Sequence, residues 1–171
     1  NHLSNKIRTE LQHTIGISQN EFDPHWSLLT QVTRMSVRQK KDYAMARLAL
    51  AMPKITRIRI RQRLEKLHAR YCWLDYQYRG PATTIEQFEE ELVAASKNNV
   101  HRTLPFELQS IRTQQEKLMR TLTCNRRARF LIRLAQFVIW QKGFRKDVQY
   151  HSFYCYESLF RELARRKRVR D

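Results

Sequence analysis

An apolar pattern between Ile60 and Tyr78 constrains the fold of this sequence more than any other feature. Six large apolar residues follow one another at spacings of four and three, namely Ile60, Leu64, Leu67, Tyr71, Leu74 and Tyr78. Such spacing keeps side chains on one face of an α-helix. Residues 56–61 also alternate between polar and apolar as a strand would, but no second strand candidate lies nearby to pair with them. The pattern therefore predicts a long amphipathic helix within 54–79.

Similar patterns predict helices in the first third of the chain. Apolar residues recur every fourth position over 3–15, and Gly16 follows as a stop signal. Asp23 and Pro24 have the residue types of an N-cap and a first-turn proline, which predicts that the next helix starts there. Ser36 is a second start signal within the pattern that continues to the next proline. The sequence leaves open whether one bent helix or two cover 24–52.

The second half of the chain predicts four more helices. Thr84 has the residue type of an N-cap, and four glutamates follow it in 86–91, where negative charge suits a helix start. Pro105 is expected to open the next helix, and Thr123 or Asn125 to cap a penultimate helix that ends near Gly143. The residues expected on the buried face of that penultimate helix are Phe130, Leu134, Phe137 and Val138, and those of the last helix are Phe153, Tyr156, Phe160 and Leu163.

The composition favours an all-α fold. Only 3 Gly and 4 Pro occur in 171 residues, fewer than a β-rich fold with many tight turns normally uses. We expect an all-α bundle of six or seven mostly antiparallel helices, forming a single helical domain over 1–171. Gly80-Pro81 is the clearest break, so two packed sub-bundles with a boundary at 79–83 remain an alternative. Residues 165–171 read as a basic C-terminal tail.

The charge balance indicates a polyanionic partner. The chain carries 33 Lys and Arg against 16 Asp and Glu, a formal net charge of +17, and such self-repulsion is relieved by an acidic surface. Helical spacing places several of these cations on shared faces, and few acids interrupt them. The predicted nucleic-acid-binding residues are Arg57, Arg59, Arg61, Arg63, Lys66, Arg70, Arg126, Arg127, Arg129, Arg133, Arg165, Arg166, Lys167 and Arg168. Aromatic residues off the apolar face, namely Trp73, Tyr76 and Tyr154, could stack on bases, although packing is the commoner role.

A zinc site is a weaker alternative. His68 and Cys72 lie four residues apart, as do His151 and Cys155, so that two helices together could supply a tetrahedral ligand set. No paired C-x-x-C is present, and the expected state is three free thiols with no metal and no cofactor.

Other features argue against catalysis and against a membrane. No phosphate-binding glycine loop, nucleophile elbow or zinc-protease motif occurs, so the chain is not expected to be an enzyme. No long apolar run or signal-peptide pattern is present. We therefore expect an intracellular protein, in the cytoplasm or, in a eukaryote, the nucleus. The predicted function is non-catalytic binding of DNA or RNA; the alternative is a basic adaptor or structural subunit that contacts an acidic protein or a larger assembly.

Overall fold

A computed structural model describes residues 2–76, 80–97 and 100–167, and every regular element within these residues is helical. Seven α-helices follow in order: α1 (His2–Ile15), α2 (Gln19–Thr30), α3 (Val37–Ala51), α4 (Arg57–Tyr71), α5 (Ile85–Ser96), α6 (Val100–Thr121) and α7 (Arg126–Lys167). Short 3₁₀ helices, Met52–Lys54 and Cys72–Asp75, follow α3 and α4 directly. The predicted all-α class and the number of helices are confirmed.

Side chains cap several helices where the sequence predicts them. Thr84 Oγ1 accepts a hydrogen bond from the Gln87 backbone N–H at 3.3 Å, and the Gln87 side chain accepts one from the Thr84 N–H at 2.8 Å. Asn125 Oδ1 accepts from the Ala128 N–H at 2.9 Å, which identifies the cap of α7. Thr56 caps α4, so the first turn of that segment is helical and not extended. These bonds satisfy N–H groups that have no partner inside the helix.

Two predicted helix starts were wrong. α2 begins at Gln19 rather than at Pro24, because Ser18 and Glu21 form a complete capping box upstream. Residues 31–36 then separate α2 from α3, so that 24–52 holds two helices. Pro105 likewise lies inside α6, which begins at Val100. Each proline is the sixth residue of its helix, beyond the first turn, so each removes one backbone hydrogen bond from inside the helix.

The C-terminal region forms one helix where two were predicted. α7 runs for 42 residues and passes through Gly143, since a glycine lowers helix stability by only about 1 kcal/mol and does not end a helix by itself. The predicted inward face was also wrong in part: Phe130 is 63% exposed and Phe137 49% exposed. The core instead receives smaller residues, namely Ala128, Leu131, Ile132 and Ala135.

The predicted helix within 54–79 is shorter than the apolar pattern. α4 ends at Tyr71, and Leu74 is buried from the 3₁₀ helix that follows. Leu64 and Tyr71 are buried and Ile60 and Leu67 half-buried, so the predicted apolar face of α4 is correct. Tyr78, the last member of the pattern, lies outside the described residues.

The chain divides into two compact units. One comprises the described parts of Asn1–Ser36 and Arg102–Gly143, and the other those of Val37–His101 and Phe144–Asp171. Gly80 and Pro81, the break from which the sequence predicts a boundary, lie inside the second unit. Buried side chains of the first unit come from α1, α2 and α7 and include Leu11, Phe22, Leu29 and Ile132. Those of the second come mainly from α3, α4 and α5 and include Met45, Leu64, Phe88 and Leu92.

Candidate nucleic-acid interface

One row of cations occupies an exposed face of α4. Spacings of four, three and four place Arg59, Arg63, Lys66 and Arg70 on the same side of the helix, and all four residues are exposed. The neighbouring side of α4 buries Leu64 in the core of the second unit. The sequence-predicted row is therefore accessible to a ligand.

Two further predicted residues of α4 do not belong to this row. Arg57 and Arg61 are offset by two positions from Arg59 and Arg63, which turns them to another side of the helix. Arg61 forms ion pairs with Glu65 and with Glu89 of α5, and the hydrogen bond that it donates to Glu65 raises the pKa of its guanidinium. Its charge is already balanced within the unit.

A second row of cations lies at the start of α7. Arg126, Arg129 and Arg133 are exposed and, together with Phe130, line a shallow depression of about 540 Å³. Arg127 lies on a different side of the helix and pairs with Glu10 of α1. The structure thus brings three of the four arginines predicted in this region to one surface.

Arg133 also belongs to a larger cleft in the first unit. Its walls are the 32–34 segment, one side of α6 and one side of α7, and its volume is about 590 Å³. The residues that line it are Val32, Thr33, Arg34, Pro105, Leu108, Gln109, Arg112, Arg133, Gln136, Phe137 and Trp140. An adjoining smaller cavity shares Arg112 and Arg133 and adds Arg129. Arginines from three separate segments therefore converge here.

Two glutamines hold the 32–34 wall in place. The side chain of Gln115, which is 4% exposed, donates hydrogen bonds to the carbonyls of Leu28 at 2.9 Å and Gln31 at 2.8 Å. Gln136 of α7 donates to the carbonyl of Leu29 at 2.8 Å. These carbonyls lie at the C-terminal end of α2, where helical partners are missing. Because the donors come from α6 and α7, the end of α2 is fixed to both walls of the cleft.

The cleft is electropositive. Three of its lining side chains are guanidinium groups and, within the described chain, none of its lining side chains is a carboxylate. The adjoining cavity contains one acid, Glu116. The guanidinium of Arg34 lies 5.3 Å from the centroid of the Trp140 ring, a cation–π contact that holds a positive charge beside an aromatic surface.

The third predicted basic region differs from the first two. Arg165 and Arg166 both pair with Glu162, and Arg161 pairs with Glu157, each one turn away. The hydrogen bonds that Arg165 and Arg166 donate lower the pKa of the Glu162 carboxyl. The region is partly neutralised by its own helix. Arg168 lies outside the described residues, and Lys167 is exposed at the end of α7.

The aromatic residues suggested for base stacking lie mostly in the core. Trp73 is 9% exposed and Tyr76 6% exposed, so their rings are not open to a ligand and this suggestion was wrong for both. Tyr154 is half-buried, and a hydrogen bond with the Cys72 thiol, 3.5 Å away, is the largest cause that raises the pKa of its phenol to about 12. The accessible aromatic of the cleft, Phe137, was instead expected inside.

The candidate zinc ligands do not come together as a metal site. His68 Nε2 lies 2.8 Å from the carbonyl oxygen of Thr83, and the Cys72 thiol contacts Tyr154. His151 and Cys155 face each other at 3.7 Å on α7. Across the residues that the structure describes, no group of three or more His, Cys, Asp or Glu side chains could hold a metal ion. Cys72, Cys124 and Cys155 are free thiols.

Sequence reasoning missed four residues of the cleft, namely Arg34, Arg112, Gln136 and Trp140. Arg34 and Arg112 lie outside the charge rows of the sequence, and only the fold brings them to Arg133. Gln136 and Trp140 continue the helical spacing of Arg129 and Arg133 on α7, a signal that the sequence analysis did not use. The absence of a nearby carboxylate around Arg34 was a signal in the sequence, but it is a weak one in so basic a chain.

Comparison with protein-family models, curated proteins and solved structures finds no match to this chain. In the described part of the chain, no helix combines the length and apolar character needed to cross a membrane. Fold and surface together define an all-α protein with two helical units, an arginine-lined cleft in one and an exposed cationic row in the other.

Proposed function

We propose that this chain binds nucleic acid without catalysing a reaction, using the arginine-lined cleft of the first unit and the α4 row of the second. The observation that carries the proposal is the convergence of Arg34, Arg112 and Arg133 from three segments onto one surface. Like charges repel, so their assembly on a fixed wall favours an anionic ligand that relieves the repulsion. The sequence also lacks the catalytic motifs that would suggest chemistry.

Arginine suits this role for a geometric reason. The guanidinium fork can donate two parallel hydrogen bonds to one phosphate, and it stays charged at every physiological pH. Each phosphate that is neutralised releases condensed counterions, which makes affinity depend steeply on salt. Because these contacts are to the backbone, we expect modest sequence preference.

The experiment compares Arg112→Gln with Arg120→Gln. Both arginines lie on exposed positions of α6 and the charge change is identical, but only Arg112 lines the cleft. Binding of labelled single-stranded and duplex oligonucleotides is measured by fluorescence anisotropy across a salt series. Arg112→Gln should weaken binding and lower the slope of log affinity against log salt by about 0.7–0.9, the value for one phosphate contact, whereas Arg120→Gln should change it less.

The α4 row is tested in the same assay. The triple change Arg59→Gln, Arg63→Gln and Arg70→Gln should reduce affinity more than Arg61→Gln, whose side chain is already paired. Normal circular dichroism would show that the exposed substitutions leave the helices intact. If the Arg112 variant and the α4 triple both bind nucleic acid as the parent does, the proposed function is wrong.

A second candidate function, the adaptor, is favoured by one observation. Near the end of α7, Tyr156, Leu159, Phe160 and Leu163 are 56%, 50%, 51% and 46% exposed. Apolar side chains in such a row commonly mark a protein contact. Substitutions in this apolar row should abolish the adaptor function, whereas the arginine variants should retain it.

A further inference from the structure

We propose that the cleft of the first unit binds an unstacked nucleobase, which makes the chain a single-strand binder. The inference rests on the proposed function and deepens it, since electrostatic attraction alone does not separate single strands from duplexes. The cleft volume of about 590 Å³ lies within the range of about 300–1,000 Å³ typical of small-ligand sites.

The first argument is the aromatic wall. Phe137 and Trp140 follow each other one turn apart on α7 and both line the cleft. Their ring centroids are 6.3 Å apart with planes tilted by 33°. Phe137 remains 49% exposed, although other residues of α7, such as Ile132 and Ala135, are buried in the core of the unit. A large ring left open beside a cleft offers a π surface on which a base can stack.

The second argument is that charge surrounds this aromatic wall. Arg34 lies over Trp140 at 5.3 Å, and Arg112 and Arg133 line the same cleft. A simple phosphate would use the guanidinium groups and leave the rings without a role, while an apolar ligand would leave three charges without partners. A planar base attached to a phosphate uses both features.

The third argument concerns strandedness. Bases in a duplex are stacked on their neighbours and present only their edges in the grooves. A ring of the protein can reach a base face only where the base is unstacked, as in single strands. The amide side chain of Gln109 lies in the same cleft and supplies a polar group beside the rings, while the amide of Gln136 donates to the carbonyl of Leu29.

The test compares Phe137→Leu with Phe106→Leu. Both replace an exposed phenylalanine of the first unit, but Phe106, which is 75% exposed on α6, does not line the cleft. The probes are a labelled oligothymidylate, its duplex with oligoadenylate, and thymidine monophosphate. Phe137→Leu should weaken oligothymidylate binding by about tenfold, within the roughly 5- to 150-fold range of one lost base–aromatic stack. Duplex binding and the Phe106 variant should change by less than about twofold.

Tryptophan emission provides a second measurement, which can be made on the parent protein without any substitution. Oligothymidylate should quench the emission of the parent, and Trp140→Phe should remove the quenched component, whereas the duplex should quench little. If Phe137→Leu folds and still binds oligothymidylate as the parent does while Arg112→Gln weakens it, the base site is wrong and the proposed function stands. If Phe137→Leu, Arg112→Gln and the α4 triple all bind as the parent, both proposals fail. Equal affinity for thymidine monophosphate, or equal competition by polyglutamate, would overturn the assignment to a nucleic-acid strand.

Discussion

Replacing Glu91 with glutamine should destabilise the second unit, because it leaves a buried lysine without its counter-charge. Only 3% of the Lys41 side chain is exposed, and its Nζ lies 2.7 Å from a carboxylate oxygen of Glu91. The same ammonium group lies 4.7 Å from the centroid of the Phe88 ring, which is itself fully buried. In the described residues, no other carboxylate is paired with this lysine.

The magnitude follows from how far each partner is buried. Removing one member of a fully buried pair costs about 3–5 kcal/mol, and exposed pairs contribute about 0–1 kcal/mol. Glu91 is 40% exposed while Lys41 is almost completely buried, which places the pair between these limits. The glutamine carbonyl can still accept a hydrogen bond, and the contact with Phe88 persists. We expect Glu91→Gln to cost about 2 kcal/mol.

Urea unfolding followed by circular dichroism measures this cost, with Glu90→Gln as the matched control on the exposed side of α5. At a typical slope of about 1–3 kcal/mol per molar urea, the midpoint should fall by about 1 M. Adding Lys41→Met to Glu91→Gln should recover most of the loss, because it removes the buried charge that Glu91→Gln leaves without a partner. If Glu91→Gln and Glu90→Gln unfold within about 0.5 kcal/mol of each other, the buried pair does not stabilise the unit as argued.

Two further substitutions test the helix assignments. Gln115→Leu should reduce the free energy of unfolding by about 1–3 kcal/mol, since it removes both hydrogen bonds to the end of α2. The control is Gln114→Leu, at the exposed position just before it. Equal urea midpoints for the two variants would refute the structural role of Gln115. Gly143→Ala should stabilise the protein by about 0.5–1 kcal/mol in thermal unfolding, because an added Cβ meets nothing within 4 Å inside α7. Gly16→Ala should act in the opposite direction, since Gly16 has a φ of +77°; a destabilised Gly143→Ala would argue against a continuous α7.

Features set by neighbouring residues were predictable from the sequence. The Thr84 cap, the Asn125 cap and the end of α1 at Gly16 each depend on bonds or conformations within a few residues. The buried face of α5 was equally predictable, since Phe88 and Leu92 lie one turn apart. Where several local signals compete, the prediction fails: Ser18 and Asp23 are both good caps, and only the former has a glutamate at the third helical position.

The burial of large residues was harder to predict, because it depends on what packs against a helix. Phe130 and Phe137 were assigned to the core from their helical spacing with Leu134 and Val138, yet Ala128 and Ala135 occupy it. Small residues let neighbouring helices approach α7 closely, so the face with Ala128 and Ala135 is buried and the phenylalanine rings lie on the exposed face. Trp73 and Tyr76 show the reverse, since both are buried although they fall outside the helical apolar pattern. A 3₁₀ segment follows α4 there and changes the direction of each side chain.

The cleft depends on the same packing. Its arginines on α7 could therefore be predicted from the sequence, whereas those from other segments could not. Arg129 and Arg133 form a row on one helix, which a spacing rule detects. Arg34 and Arg112 join them because Gln115 and Gln136 fix the end of α2 against α6 and α7. A hydrogen bond between residues more than eighty positions apart has no local signature. The outward turn of α7 that exposes Phe137 also brings that ring into the cleft beside Arg133. The row of Arg129 and Arg133 is thus encoded locally, whereas the other two arginines of the cleft and the exposure of Phe137 depend on how the helices pack.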